Sequence, residues 1–261
     1  MGKKGKRASS GGSAGPTAEE TLRQMRVAGM EVLPPPTADR KSNKRVELDL
    51  VSKRVYQETI LSIDSLLSPR ECSAWIRFGE DRGFERSFHR QTSEVAHRDN
   101  GRITLHSPEV SAALFARVGP FVPAEMGGRY GVACNSNIRI YRYAVGQRFG
   151  KHIDESVQDE NGHLSQWTVL VYLNGGQGAA GSPGKAGRSE GGGGAVEEEA
   201  PLRGGETVFY KARTERKIAA SFSPRQGACL VHGHGRQCLL HEGAAVTSGV
   251  KYLLRTDVMY A

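Results

Sequence analysis

From Val46 onward the apolar positions fall into two patterns. The stretch VELDLVSKRVYQETILSIDSLLS clusters its apolar residues as one or two strands, or a strand and a bend, would do. Ser68-Pro69-Arg70-Glu71 then supplies an N-cap, a proline at the first helical position and an acid at the third. This predicts a helix to about Asp81 that buries Trp75, Ile76 and Phe78 and ends at Gly83. Ser107-Pro108-Glu109 repeats the signal for a second helix, with Val110, Leu114 and Phe115 on one face and a stop at Gly119-Pro120. Between the two lies FERSFHRQTSEVAHRDNGRITLH, which is polar and holds three histidines. Asn100-Gly101 predicts a hairpin turn at the surface. The other reading makes the stretch a substrate-facing loop with Asn100 and Arg102 entering a cleft.

After Tyr130 the pattern becomes strand-like. Segments Ile138 to Tyr143, Gln166 to Leu173, Glu206 to Tyr210, Lys217 to Phe222, Ala228 to Val231 and Lys251 to Tyr260 are short and bounded by glycine, proline or asparagine. With no helix between them they predict an antiparallel sandwich or barrel, and so a mainly β protein with flanking helices, α+β in class. One interruption, residues 174–205, has almost no apolar content and is dominated by glycine. It reads as a flexible insertion between two strands, because loop-closure entropy grows slowly with length.

Composition refines this picture at the N-terminus. Residues 1–45 are rich in Gly, Ser, Pro and charge, with ten Lys/Arg against four Asp/Glu, and bury too little apolar surface to offset ordering, although 19–30 could form a short helix. The chain therefore divides into a disordered basic tail, 1–45, and one folded domain, 46–261. Of the net charge of +8, only +2 remains on the domain. No apolar run is long enough to span a membrane, and the N-terminus has no apolar secretory segment. The four scattered cysteines then read as reduced thiols in the cytoplasm or nucleus. The basic tail leaves plastid or mitochondrial targeting open.

The candidate chemistry starts at His152-Ile153-Asp154. On a strand, i and i+2 share a face, so an imidazole and a carboxylate meet in one small volume. This is two-thirds of the 2-His-1-carboxylate set that holds Fe(II) with open positions. The third ligand could be His232, His234 or His241. Ten residues after His241, Lys251 opens a strand whose same-side residues are Lys251, Leu253 and Arg255. A base pointing into a barrel needs an anionic partner, and an oxoacid that chelates iron at one end and offers a carboxylate at the other would meet that need. This favours His241.

The motifs RYAVGQRFGKHID, TVLVYLN, GGETVF, FSPRQGACLVHGHG and LLHEGAAVTSGVKYLLRTDVMY, in this order, resemble the 2-oxoglutarate and Fe(II)-dependent dioxygenases of the prolyl 4-hydroxylase type. The upstream SPRECSAWI and RDNGR stretches are similar to the helical half of the same domains. The resemblance implies a double-stranded β-helix, or jelly roll, core. It implies His152, Asp154 and His241 as iron ligands, and Lys251 as partner of the distal carboxylate of 2-oxoglutarate, with Arg255 as its competitor. Tyr143 would hydrogen-bond that carboxylate and Thr207 would line the pocket. The implied reaction hydroxylates an unactivated C–H bond and releases succinate and CO2, with ascorbate keeping the iron ferrous. The implied substrate is a prolyl or other peptidyl group, or a small molecule. Oxidative demethylation of nucleic acid is the alternative, but it would need a basic groove on a domain carrying only +2. A silent binding domain would be expected to have a broken ligand set, and a zinc hydrolase would leave Lys251 unexplained.

Overall fold

A computed structural model of the chain describes residue 50 and residues 52–176, 200–211 and 217–261. The predicted tail, its short helix and most of the glycine-rich insertion lie outside the described residues. The first apolar cluster forms an antiparallel pair, β1 (Ser52–Tyr56) and β2 (Ile60–Ile63). Helix α1 (Pro69–Arg82) starts where its sequence predicts: Ser68 and Glu71 complete a reciprocal capping box, and Gly83, at φ 76°, ends it. It buries Cys72, Ala74, Trp75 and Phe78, while Ile76 is only partly covered. Helix α2 (Pro108–Val118) is capped by Ser107 and runs into a single 3-10 turn at Gly119–Phe121. Its Arg117 meets Glu71 at 2.7 Å and so ties the two helices together.

The segment between the helices departs from its sequence. A hairpin does form, from β3 (Glu85–His89) and β4 (Arg98–His106), but Asn100-Gly101 lies inside β4, opposite Ser87 and Arg86. The chain reverses between His89 and Arg98 instead. Asn100 is fully buried. Gly101 is required by close packing, since a Cβ there would stand 2.8 Å from the Cβ of Phe84. The same dipeptide that favours a turn also suits a strand pressed against a neighbour.

The remaining strands are β5 (Glu125–Met126), β6 (Arg129–Cys134), β7 (Asn137–Tyr143), β8 (Phe149–His152), β9 (Leu164–Tyr172), β10 (Arg203–Gly204), β11 (Thr207–Tyr210), β12 (Ile218–Phe222), β13 (Cys229–Gly233), β14 (His241–Gly243), β15 (Val246–Ser248) and β16 (Lys251–Tyr260). The main path of the sheet runs β1-β2-β13-β9-β16-β7-β4-β8-β14-β11-β12, and its two ends approach each other, giving a nearly closed antiparallel barrel of jelly-roll type. The six strands predicted after Tyr130 correspond to β7, β9, β11, β12, β13 and β16. The ends of the glycine-rich stretch are tied in: Asn174 exchanges hydrogen bonds with Val250 O and Tyr252 N, and β10 pairs with β15.

Strand β16 divides the interior. Tyr252, Leu254, Val258 and Tyr260 pack with Trp75, Phe78 and Leu114 into a core beneath the helices. Residues of the opposite parity face a second cluster, in which Leu253 meets Tyr141, Tyr143, Leu170, Tyr172, Phe209 and Leu230. Lys251 and Arg255 belong to that parity, as their alternation in sequence requires.

Candidate active site

Strand register brings the two predicted histidines together. His241 on β14 is the direct antiparallel partner of His152 on β8, and their ring centroids lie 4.2 Å apart. Asp154, two residues past His152, turns its carboxylate to the same point. His152 Nε2 is 3.5 Å from Asp154 Oδ1, and His241 Nε2 is 3.8 Å from Oδ2. Donor atoms of these three residues all lie within 4.8 Å of one another.

Backbone carbonyls orient both rings. His152 Nδ1 lies 2.8 Å from Gly150 O, and His241 Nδ1 lies 2.9 Å from Leu239 O. A ring that donates from Nδ1 carries its lone pair on Nε2, which is the form a metal takes. Burial and the neighbouring histidines hold His241 well below the ordinary histidine range, so the ring is neutral. Phe149 stacks on His152 at 3.7 Å, and the Arg98 guanidinium covers the other face of Phe149 at 4.1 Å.

The Asp154 carboxylate is held from behind. Its Oδ2 accepts from the Thr168 hydroxyl at 2.7 Å and from Arg255 Nη2 at 3.0 Å. His234 Nε2 sits 2.7 Å from the same hydroxyl, and Ser165 Oγ sits 3.1 Å from His234 Nδ1. All four groups are satisfied if Ser165 donates to His234, His234 to Thr168 and Thr168 to Asp154. This chain occupies Oδ2 and leaves Oδ1 toward His152. Although burial opposes ionisation, Arg255 and the histidines keep Asp154 well below the usual carboxylate range.

Lys251 lies in the same cavity as the three residues above, together with Tyr143, Thr207, Leu253 and Arg255. It is the register partner of Tyr143 on β7. Its Nζ donates to Gly205 O at 2.5 Å and lies 5.5 and 5.4 Å from the rings of Tyr143 and Tyr172. Among the described residues no carboxylate comes within ion-pair distance of it. Burial pushes this ammonium down to about 8, with Glu206 opposing the shift from a distance. Thr207 is buried and its hydroxyl meets Tyr172 OH at 2.6 Å. Tyr143 is buried, which raises its phenol well above the ordinary range and keeps it a donor.

The other predicted residues are arranged differently. Arg255 lines the cavity, but its guanidinium already contacts Asp154 and, at 3.5 Å, Asp257. Asn100 is buried with its amide toward Tyr143. Arg102 bonds Thr104 Oγ1 at 3.1 Å and lines neither this cavity nor its neighbour. That neighbour, about 330 Å³, opens on the far side of His152 and Asp154 and is lined by His89, Glu94, Val95, Arg98 and Phe149 among others. Sequence reasoning missed Thr168 and Asp257, and it set His232 and His234 aside although their spacing had marked them. A second group of donors, His232, Cys238 and His241, also lies close together. It is a poor ligand set, because His241 Nδ1 is committed to Leu239 O and burial raises the Cys238 thiol to about 12.

No protein-family model and no curated protein sequence matches the chain. Solved structures do. A prolyl hydroxylase from Trichoplax adhaerens, in complex with a peptide fragment of the hypoxia inducible factor oxygen degradation domain, superposes with a TM-score of 0.50 at 14% identity, covering 94% of each chain. The fold is that of the prolyl 4-hydroxylase-type 2-oxoglutarate oxygenases. A viral collagen prolyl hydroxylase from Paramecium Bursaria Chlorella virus-1, in its 2OG complex, gives 0.49 at 18% identity over 79% of this chain and 96% of its own. A 2OG-Fe(II) oxygenase family protein from Burkholderia pseudomallei gives 0.46 at 13% identity, covering 95% and 92%. Within this prolyl 4-hydroxylase-type fold, no described helix is long and apolar enough to cross a membrane.

The donor set fits a ferrous ion. Two imidazoles present Nε2 and one carboxylate presents a free oxygen, the nitrogen and oxygen mixture that Fe(II) takes with positions left open. The buried ammonium without a counter-ion fits the far end of a dicarboxylate.

Proposed function

We propose that this protein is a 2-oxoglutarate- and Fe(II)-dependent dioxygenase that hydroxylates an unactivated C–H bond, with a prolyl or other peptidyl group as substrate. The observation that carries this reading is the meeting of His152, Asp154 and His241 beside Lys251, a buried cation with no carboxylate in ion-pair distance among the described residues. The peptide held by the Trichoplax adhaerens protein supports the substrate class.

In this reading His152 Nε2, Asp154 Oδ1 and His241 Nε2 hold the iron. When bound, iron with 2-oxoglutarate and dioxygen supplies the oxidising power, and the cosubstrate leaves as succinate and CO2. The protein's own groups prepare the site. Lys251 exchanges the Gly205 carbonyl for the distal carboxylate, and the Tyr143 phenol donates to it. Arg255 and Thr168 fix the Asp154 carboxylate so that one oxygen stays inward. Tyr141, Leu170 and Leu253 line the cavity and exclude water. Substrate enters by the cavity of about 330 Å³ across His152 and Asp154. Ascorbate serves as reductant for the metal.

Succinate release from 2-oxoglutarate with added Fe(II), with and without ascorbate, tests the reading. His152→Ala is expected to abolish turnover. Lys251→Ala is expected to raise the 2-oxoglutarate concentration needed by at least about tenfold, as loss of a charged hydrogen bond implies. Wild-type behaviour in both variants would overturn the reading. Peptide mass shifts of one oxygen atom in a lysate would identify the substrate.

A further inference from the structure

Strand β4 carries a buried polar side chain to which the proposed reaction gives no role. Asn100 is 0% exposed, and neither its amide nitrogen nor its amide oxygen has a hydrogen-bond partner. Buried amides are ordinarily satisfied, so one left open in the interior is a standing cost to the fold. The alternation of β4 sets the direction of this side chain. Ile103 and Leu105 pack into the core beneath the helices, so the opposite parity, Asn100 included, faces the second cluster with Tyr141 and Tyr143.

Register then sets its neighbours. Gly101 pairs with Arg142, and one step along the same ladder puts Asn100 beside Tyr143. Tyr143 pairs in turn with Lys251. A row of three buried polar side chains, Asn100, Tyr143 and Lys251, therefore crosses β4, β7 and β16; Tyr143 and Lys251 line the cavity and Asn100 stands behind them. Burial raises the Tyr143 phenol, and Asn100 acts against that rise, as a donor beside the phenol oxygen does and an acceptor does not. The contact stops short of a formed hydrogen bond. The phenol has one proton. If Asn100 Oδ1 took it, nothing would remain for a ligand carboxylate; with Nδ2 toward the phenol oxygen, the proton stays available to the cavity.

We infer that Asn100 is a positioning residue for the cosubstrate: its Nδ2 donates to the Tyr143 oxygen when the phenol gives its proton to the distal carboxylate. The inference rests on the proposed 2-oxoglutarate site and concerns the far end of that ligand. A phenol that donates to an anion becomes a better acceptor, because successive hydrogen bonds polarise one another. Closing the row thus satisfies the open amide and strengthens the hold on the carboxylate together. The close approach of Gly101 to Phe84 keeps β4 where this row needs it.

Ligand binding tests this without turnover. Binding of 2-oxoglutarate to the Co(II)-loaded full chain is measured by calorimetry, beside thermal unfolding with and without the ligand. Asn100→Leu should weaken binding about three- to tenfold, the loss of one hydrogen bond. Its ligand-free melting temperature should not fall, since the amide is unsatisfied there. Asn100→Asp keeps the shape but, ionised, offers only acceptors, so it should draw the phenol proton and bind more weakly than Asn100→Leu. In a Tyr143→Phe background, Asn100→Leu should cause no further loss of affinity. Pyruvate, a 2-oxoacid with no distal carboxylate, should bind wild type and Asn100→Leu alike. In succinate release the change should fall on KM for 2-oxoglutarate rather than on kcat. Wild-type affinity in Asn100→Asp would overturn the inference and leave the cosubstrate site standing. So would an Asn100→Leu loss that persists in full beside Tyr143→Phe, extends to pyruvate, or comes with an equal drop in ligand-free melting temperature. Failure of Co(II)-loaded wild type to bind 2-oxoglutarate at all would instead sink the proposed function.

Discussion

Lys251 and Arg255 sit four residues apart on one strand and face one cavity, yet the protein treats them in opposite ways. Arg255 is compensated where it lies, with Asp154 at 3.0 Å and Asp257 at 3.5 Å, and these carboxylates hold its guanidinium above its ordinary range although burial works against it. Lys251 has a carbonyl and two aromatic rings, and burial pushes it down to about 8. One cation is paired within the protein, and the other has no carboxylate within ion-pair distance among the described residues. Removing one member of a buried ion pair strands the other, whereas a buried charge without a counter-ion is a standing cost that, in the proposed reading, is kept for binding.

The largest expected effect falls on the histidine pair that both cations flank. His241→Ala removes the register partner of His152 and should take succinate release below detection, with Co(II) binding weakened by orders of magnitude in an optical titration. Arg255→Met should cost about 3–5 kcal/mol in urea unfolding, because it leaves the Asp154 and Asp257 carboxylates buried without their cation. Lys251→Met should do the reverse. The ammonium is depressed from 10.5 to about 8, so its removal should stabilise the ligand-free protein at pH 7 by about 3 kcal/mol, while abolishing protection by 2-oxoglutarate. Equal effects of the two substitutions would erase the contrast.

The pH dependence sharpens the same point. The unfolded chain keeps the Lys251 proton up to about pH 10.5 and the folded chain only to about 8. Between these values the unfolded state binds more protons, so wild-type stability gains a rising contribution across that window. Urea unfolding at several pH values should show it in wild type and not in Lys251→Met. The smallest effect belongs to the support behind Asp154. Thr168→Val should cost about 1–3 kcal/mol in urea unfolding, since both Asp154 Oδ2 and His234 lose a hydrogen-bond partner.

Much of the fold was legible because its cues are local. The capping box at Ser68 and Glu71 and the proline starts of both helices are short-range chemistry, and they stand where the sequence puts them. The alternation of Lys251, Leu253 and Arg255 set them on one face before any partner was known. The strand-forming Asn100-Gly101 was misread because its reason is Phe84, a neighbour across the fold rather than along the chain. Short strands such as β8 and β14 carry too few residues for a periodic signal.

The site divides in the same way. The sequence by itself marked His152 and Asp154 as candidate donors two residues apart, although β8 ends at His152 and Asp154 lies just beyond it, and it marked the lysine ten residues beyond His241. Only the tertiary structure decided that His241 faces His152, that Arg255 is tied to Asp154 and Asp257 while Lys251 is not, and that His232, His234 and Thr168 gather around the same carboxylate. The physical reason is that spacing along a strand fixes a side chain's face, whereas its partners depend on the register and order of strands distant in sequence.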